Sequence, residues 1–221
     1  MSKTKYIPAL RFKWLTPLYD FLISITMPEK KIKQALVEAA NVSAKEKILD
    51  FGCGTGTLTI MIKEFQPEAN VAGIDVDVKI LNKAIEKSED KGLDIFLIDY
   101  DGTHLPFQDN RFHKILSCLV FHHLDTTKKK IILAEIFRVV SNNGKLYIAD
   151  FGRSKSWLQR TLFNIIRGLD GFKPTDANAK GLLPELISEA GFANVTINKS
   201  FKTMFGEVQI ISAEKYNLIN N

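Results

Sequence analysis

Residues 48–59 read ILDFGCGTGTLT. An apolar run ends in an acid, Asp50, and glycines follow at 52, 54 and 56. Residues 47–51 have the branched, apolar character of a short strand. Residues from about 56 to 66 have helical spacing. A glycine in such a loop marks either a positive φ or a ligand lying against the backbone. Three alternating glycines cost considerable chain entropy for a mere tight turn, which favours the ligand. Strand, glycines, helix is also the order in which open α/β sheets hold ligands, beyond the carboxyl ends of their strands.

Outward from this stretch the alternation repeats. Strand-like runs at 71–75, 94–99, 114–119 and 145–150 alternate with helical spacing at 78–91 and 126–141. Such a pattern predicts a parallel sheet with helices on both faces. After Gly191 and Phe192 come two more strand-like runs, 194–201 and 207–214. The link between them is too short for a crossover helix, so they pair antiparallel. The expected fold is α/β: a Rossmann-like, doubly wound, mostly parallel seven-stranded sheet with the last strand antiparallel. The N-terminal 45 residues read as mainly helical.

Length and composition agree with one domain over residues 1–221. A chain of 221 residues buries roughly 70% of its unfolded surface without staples. Its two cysteines, Cys53 and Cys118, form no CxxC pair, which argues for a reducing compartment. The basic N-terminal residues precede an apolar patch that Asp20 interrupts, with no small-residue cleavage site after it. The reading is a cytoplasmic protein. A net charge of +5 is compatible with nucleic acid or an anionic membrane but requires neither.

The glycine register decides among ligands. A P-loop needs GxxxxGK[ST], and no lysine follows Gly56 closely. A dinucleotide fingerprint needs GxGxxG, and the third position here is Thr57 or Thr59. What remains is D-x-G-x-G-x-G, which suits a ligand without a pyrophosphate whose charged amine seeks Asp50. Asp75, in VAGIDVD, ends the second strand and is placed to accept from a ribose diol. In DYDGTHLPF, Asp101 can accept from an exocyclic amine and the Gly102 N–H can serve a ring nitrogen. Amine, ribose and adenine are the three parts of S-adenosylmethionine.

On these residues the chain resembles the class I S-adenosylmethionine-dependent methyltransferases, in particular the ubiquinone/menaquinone methyltransferase-like group. ILDFGCGTG is similar to the group's first motif and GIDVD to its second. DGTHLPFQDNRF resembles D-A-x-x-L-P-F-x-x-x-x-F, and EIFRVVSNNGKLYIAD resembles E-x-x-R-V-L-x-P-G-G-x-L-x-x-x-D. The resemblance, close over about 46–150, implies a cofactor-binding set. Asp50, Gly52, Gly54, Thr55 and Gly56 would hold the methionine end. Asp75 would take the ribose, with Val76 beside it, and Asp101 and Gly102 the adenine. Cys118 would end strand four facing the amine, and Tyr19 would lie over the cofactor. Two departures, His113 for an aspartate and SNNG for a P-G-G turn, bear on packing and turn geometry.

Methyl transfer from a sulfonium needs alignment and exclusion of water, and a base only where the acceptor loses a proton. The candidate catalytic residues are His122 and His123, in LVFHHL just past strand four. Their alternative is to cap the next segment and line the pocket. Metal binding is not expected, because neighbouring side chains diverge and no acid completes a set. His104 and His113 read as loop or surface residues, and Cys118 as a small hydrophobe. The resemblance divides the chain into a helical lid (1–45), a cofactor core (46–150) and an acceptor-side insertion (151–180). The lid carries Trp14, Tyr19 and Phe21, and the insertion Trp157, Phe163 and Phe172. This aromatic content favours an apolar or aromatic small-molecule acceptor. The insertion's basic, amphipathic pattern also suits peripheral membrane contact. A nucleic-acid target is disfavoured, since [DN]PP[FYW] and Pro-Cys are both absent and positive charge is scattered. A non-catalytic cofactor-binding module is the other alternative. The sequence leaves oligomeric state open.

Overall fold

A computed structural model places residues 28–152, 181–203 and 206–216, and the description below concerns these. Tyr19 with the rest of 1–27, and 153–180 of the insertion, lie outside them.

The elements are α1 (Glu29–Ala40), β1 (Lys47–Phe51), α2 (Thr57–Phe65), β2 (Asn70–Asp75), α3 (Val78–Asp90), β3 (Phe96–Asp99) and β4 (Phe112–Cys118). A 3-10 turn (Phe121–His123) precedes α4 (Thr126–Val139) and β5 (Val140–Gly152). Then come α5 (Leu183–Glu189), β6 (Ala193–Thr203) and β7 (Gly206–Glu214). The seven strands run in the order β3-β2-β1-β4-β5-β7-β6. β7 is antiparallel to both its neighbours, and the remaining pairings are parallel. The expected sheet is therefore present, with the antiparallel strand last in sequence but inside the edge.

β1 shows why it is central. Lys47 is exposed and the next four residues are buried, the near-continuous burial of a strand covered on both faces. One core joins Leu49, Phe51 and Ile148 to Ile132, Leu133 and Ile136 of α4 and Leu183, Leu186 and Ile187 of α5. The other joins Ile48, Leu116 and Tyr147 to Ile32 and Leu36 of α1 and Leu58 and Ile62 of α2. Two helix starts are capped by acids. Asp77 accepts from the Lys79 N–H at 2.9 Å, and Asp125 from the Lys128 N–H at 2.8 Å.

The two departures from the motif pattern resolve as packing and turn chemistry. His113 Nδ1 accepts from the Lys47 N–H at 2.9 Å. SNNG lies inside β5, where the pairing with β4 jumps from Phe112↔Val140 to Lys114↔Lys145. Asn143 takes φ 61° there, a conformation asparagine tolerates.

Arg138, in the last turn of α4, fastens the loop between β3 and β4. It donates to the carbonyls of Phe107 (2.7 Å) and Leu105 (2.9 Å) and to the carboxylates of Asp109 (2.8 Å) and Glu135 (2.7 Å). Glu135 in turn accepts from the Leu105 N–H at 2.9 Å and meets His104 Nδ1 at 2.9 Å. The E-x-x-R pair thus holds the loop that carries Asp101 and Gly102. Replacing Arg138 by methionine is expected to cost about 2 kcal/mol, because charged hydrogen bonds are lost where water has partial access. The melting temperature should fall about 4–8 °C. Lysine should not restore it, lacking the planar fork. An unchanged melting temperature would mean that water replaces these bonds at no cost.

Candidate active site

Chain order reverses between β1 and β4, so a crevice opens beyond their carboxyl ends. The glycine loop follows β1, and residues 119–125 follow β4. The loops touch: a methyl group added at Gly52 would run into the Val120 side chain.

The three glycines have different reasons. Each has positive φ: 72°, 54° and 72° for Gly52, Gly54 and Gly56. Gly52 makes room for Val120, and a Cβ at Gly56 would sit 2.9 Å from Ala84 Cβ on α3. A Cβ at Gly54 would meet nothing within 4 Å among the described residues. Gly54 is therefore the position whose backbone is bare for a ligand. Its N–H donates to Asp75 Oδ2 at 2.8 Å, and Asp75 Oδ1 accepts from the Asp77 N–H at 3.0 Å. Asp75 thus steers the glycine loop as well as ending β2. Thr55 is exposed, and its carbonyl accepts from Lys87 Nζ at 3.1 Å. Lys87 also donates to Thr57 Oγ1 at 3.1 Å. This brace from α3 had no signal in the sequence.

Asp50 is 1% exposed. Thr59 is its sole hydrogen-bond partner among the described residues, through the hydroxyl at 2.6 Å and, more weakly, the backbone N–H. Burial pushes the Asp50 carboxyl up to about 6, against the Thr59 bonds. A buried carboxyl with so few donors has acceptor capacity left for a ligand.

Val76 is exposed, and a Cβ on Gly102 (φ 85°) would lie 3.5 Å from Val76 Cγ1. These two residues border one spot beside Asp75. Asp101 is engaged differently from the sequence expectation. Its Oδ1 accepts from the N–H groups of Thr103 and His104, both at 2.8 Å, and from Thr103 Oγ1 at 2.9 Å. Those donors hold its carboxyl below the usual range. One oxygen builds the turn, and the other has no hydrogen bond among the described residues.

Cys118 ends β4 half-buried, and burial pushes its thiol up. Leu119, next along, has φ 59°, which strains a leucine by roughly 1–2 kcal/mol. Its N–H donates to the Ala149 carbonyl at 2.8 Å. This bend turns the chain into the 3-10 turn that carries the histidines. The two rings lie 3.9 Å apart between centroids, tilted by 42°, but differ in partners. His122 Nδ1 lies 3.0 Å from Oδ1 of Asp150, a wholly buried residue of β5. His123 is pushed down to about 4, first by the charge of His122 and then by desolvation. Lys129 of α4 is fully buried, donates to the Leu124 carbonyl, and is pushed down to about 8 by burial. Asp150 and Lys129 were not among the sequence candidates. Among the described residues no three His, Cys, Asp or Glu side chains gather as a metal site.

A methyltransferase-domain family model matches residues 48–144. The demethylmenaquinone methyltransferase of Thermus thermophilus is 31% identical over 142 residues, 63% of this chain and 64% of that protein. The demethylmenaquinone methyltransferase of Lactobacillus johnsonii is 30% identical over 90% of this chain and 91% of its own length. Among solved structures, the YcgJ protein of Bacillus subtilis superposes with a TM-score of 0.69 at 14% identity, over 85% of this chain and 99% of that one.

Proposed function

The chain belongs to the class I S-adenosylmethionine-dependent methyltransferases, in their ubiquinone/menaquinone-like group, and from that premise we propose that it methylates an apolar, aromatic small molecule of the quinone type. The observation that carries the methyl-donor half of the proposal is the pairing of Gly54, with open space among the described residues where a Cβ would stand, and Asp50, buried with unused acceptor capacity, at the sheet's switch point. That pair fits S-adenosylmethionine. A cationic amine suits the buried carboxylate, and the bare backbone admits close approach.

Bound there, S-adenosylmethionine supplies a methyl group on a positively charged sulfur, already activated for displacement. The chain's residues bind and orient. Asp50 takes the amine, while Gly52, Gly54, Thr55 and Gly56 form the loop against the methionine end. Asp75 takes the ribose diol, Val76 and Gly102 flank the adenine, and Asp101 offers its second oxygen to the adenine amine. Cys118 borders the amine through its backbone, and Tyr19 belongs to the segment that covers the cofactor. Residues 14–22 and 153–173 form the acceptor wall. This last assignment is supported by their aromatic content and by the names of the relatives. Among the described residues no helix is long and apolar enough to cross a membrane. Contact with a bilayer that holds the acceptor is assigned to the basic insertion. Both cysteines are free, in keeping with a cytoplasmic site of action.

Two measurements test the reading. Isothermal titration should give micromolar S-adenosylmethionine binding and no heat with NADH. Release of S-adenosylhomocysteine should accompany incubation with 1,4-dihydroxynaphthalene bearing a short isoprenoid chain, and not with duplex DNA. Binding of NADH alone would sink the family chemistry, and turnover on DNA alone would sink the acceptor class. Asp75→Ala removes the ribose acceptors and the brace on Gly54 together. Charged hydrogen bonds are worth about 1.5–3 kcal/mol each, so affinity should fall at least tenfold while the fold survives. An unchanged dissociation constant would mean that the ribose lies elsewhere.

A further inference from the structure

We infer that His122 is the general base of the transfer and that Asp150 is its positioning partner; this rests on the methyltransferase reading above and adds to it the fate of the acceptor's proton. The sequence left His122 and His123 equivalent, but their surroundings separate them.

Asp150 is wholly buried and firmly anchored. Its Oδ2 accepts from the N–H groups of Phe121 (2.7 Å) and His122 (3.3 Å), and its Oδ1 from the Phe151 N–H at 2.7 Å. Burial raises its pKa, but with hydrogen bonds from the chain converging on both oxygens the carboxyl is held below its usual range. It is therefore ionised and has no proton to give. The hydrogen between Asp150 Oδ1 and His122 Nδ1, 3.0 Å apart, must then sit on Nδ1. That fixes the tautomer in which Nε2 keeps its lone pair.

The His122 side chain is 16% exposed, so it is reachable but mostly enclosed. Phe151 stands edge-on to the ring at 5.1 Å, and the His123 ring lies tilted against it. His123 is neutral in the physiological range and brings no competing charge. Among the described residues, Lys129 and Asp125 of the α4 start are the other charged groups that act on this cluster. The dyad also adjoins the cofactor loop. Val120 packs against Gly52, and the Phe121 ring lies 5.9 Å from that of Phe51 at the end of β1. Tying down the 3-10 turn needs only the backbone donors to Asp150, and the bond to the ring is additional to that task.

The step balances as follows. An O–H of the acceptor gives its proton to His122 Nε2 while the acceptor's nucleophilic atom bonds to the methyl carbon. The sulfur–carbon bond breaks, and its electron pair stays on sulfur as a neutral thioether. His122 becomes an imidazolium paired with Asp150 and afterwards loses the proton to water. Groups held in this base–orienter arrangement contribute about a hundredfold or more to rate.

The test has one arm that needs no turnover. Long-range 1H–15N spectra of the unliganded protein should show His122 as the Nδ1–H tautomer. Asp150→Asn, whose amide can donate to Nδ1, should convert it to Nε2–H. In turnover with the isoprenoid dihydroxynaphthalene, His122→Gln should lower kcat about a hundredfold with S-adenosylmethionine affinity within twofold. Exogenous imidazole should restore rate to His122→Ala. An Nε2–H tautomer in the native protein, or a His122→Gln enzyme with native kcat, would overturn the inference. Failure of the native protein to bind S-adenosylmethionine would instead overturn the function proposed above, leaving the tautomer arm to decide the dyad. If Asp150→Asn does not fold, the native tautomer and His122→Gln carry the decision.

Discussion

Gly54→Val is expected to abolish measurable S-adenosylmethionine binding, a loss beyond a hundredfold, while the protein still folds. The added side chain would project into space that no atom of the described residues occupies within 4 Å of its Cβ. The folded chain therefore has room for it, and the ligand does not. The backbone cost comes from φ 54°, which a β-branched residue adopts at roughly 1–2 kcal/mol. For a chain of this size that lowers the melting temperature about 2–8 °C. Gly56→Ala is the contrast. Its methyl would press on Ala84 Cβ at 2.9 Å, so stability should suffer before any ligand is added. Titration calorimetry and thermal unfolding on the two variants separate the effects. Native affinity in the valine variant would reduce the loop to a structural turn.

Asp50→Asn should strengthen the empty protein and weaken the loaded one. The Asp50 carboxyl is raised from 3.8 to about 6 in the folded chain, first by burial. Between those values the folded state holds a proton that the unfolded state releases. Stability from this group therefore falls as pH rises from about 4 to 6 and stays low above. A shift of about two units corresponds to about 3 kcal/mol as a ceiling. Asparagine carries no charge and can still accept from Thr59. Unliganded Asp50→Asn should thus melt about 4–10 °C higher than native at pH 8, with little difference at pH 4. Ligand affinity at pH 8 should drop at least tenfold, since the cationic amine loses its counter-charge. In the native protein affinity should fall as pH drops below about 6, where Asp50 takes up its proton. Melting curves at pH 4 and 8 with and without S-adenosylmethionine test both halves. A variant less stable than native at pH 8 would show that Asp50 carries no desolvation cost.

These two residues also mark what the sequence makes legible. Strand and helix periodicity placed β1 at its observed bounds, because burial on both faces leaves an uninterrupted apolar run. It placed α2, α3 and α4 within a residue or two, since each has one apolar stripe. The run at 145–150 was read short, because polar SNNG hides the start of β5 at Val140. α5 spans only seven residues, too few for periodicity to show. The glycine register identified the ligand, but it could not say that Gly52 and Gly56 serve protein contacts while Gly54 faces open space. That distinction depends on Val120 and Ala84, which are remote in sequence. The same limit hid Asp150 behind His122 and Arg138 behind Asp101, pairings that exist only once β4, β5 and α4 are side by side. Asp101 shows a role read from type alone, where local backbone donors take half of the carboxylate.

The antiparallel course of β7 has a consequence for how such a chain can change. Because β7 reverses, the tip joining Thr203 of β6 to Gly206 of β7 emerges at the same end of the sheet as Asp150, through the pairings Phe151↔Val208 and Gly152↔Glu207. The two halves of the sheet, β3, β2 and β1 on one side and β5, β7 and β6 on the other, are joined through β4 alone. Substitutions separated by more than about 7–10 Å with no shared partners add nearly independently. Substitutions at Thr203 or Gly206 are therefore expected to leave the glycine loop beyond β1 undisturbed.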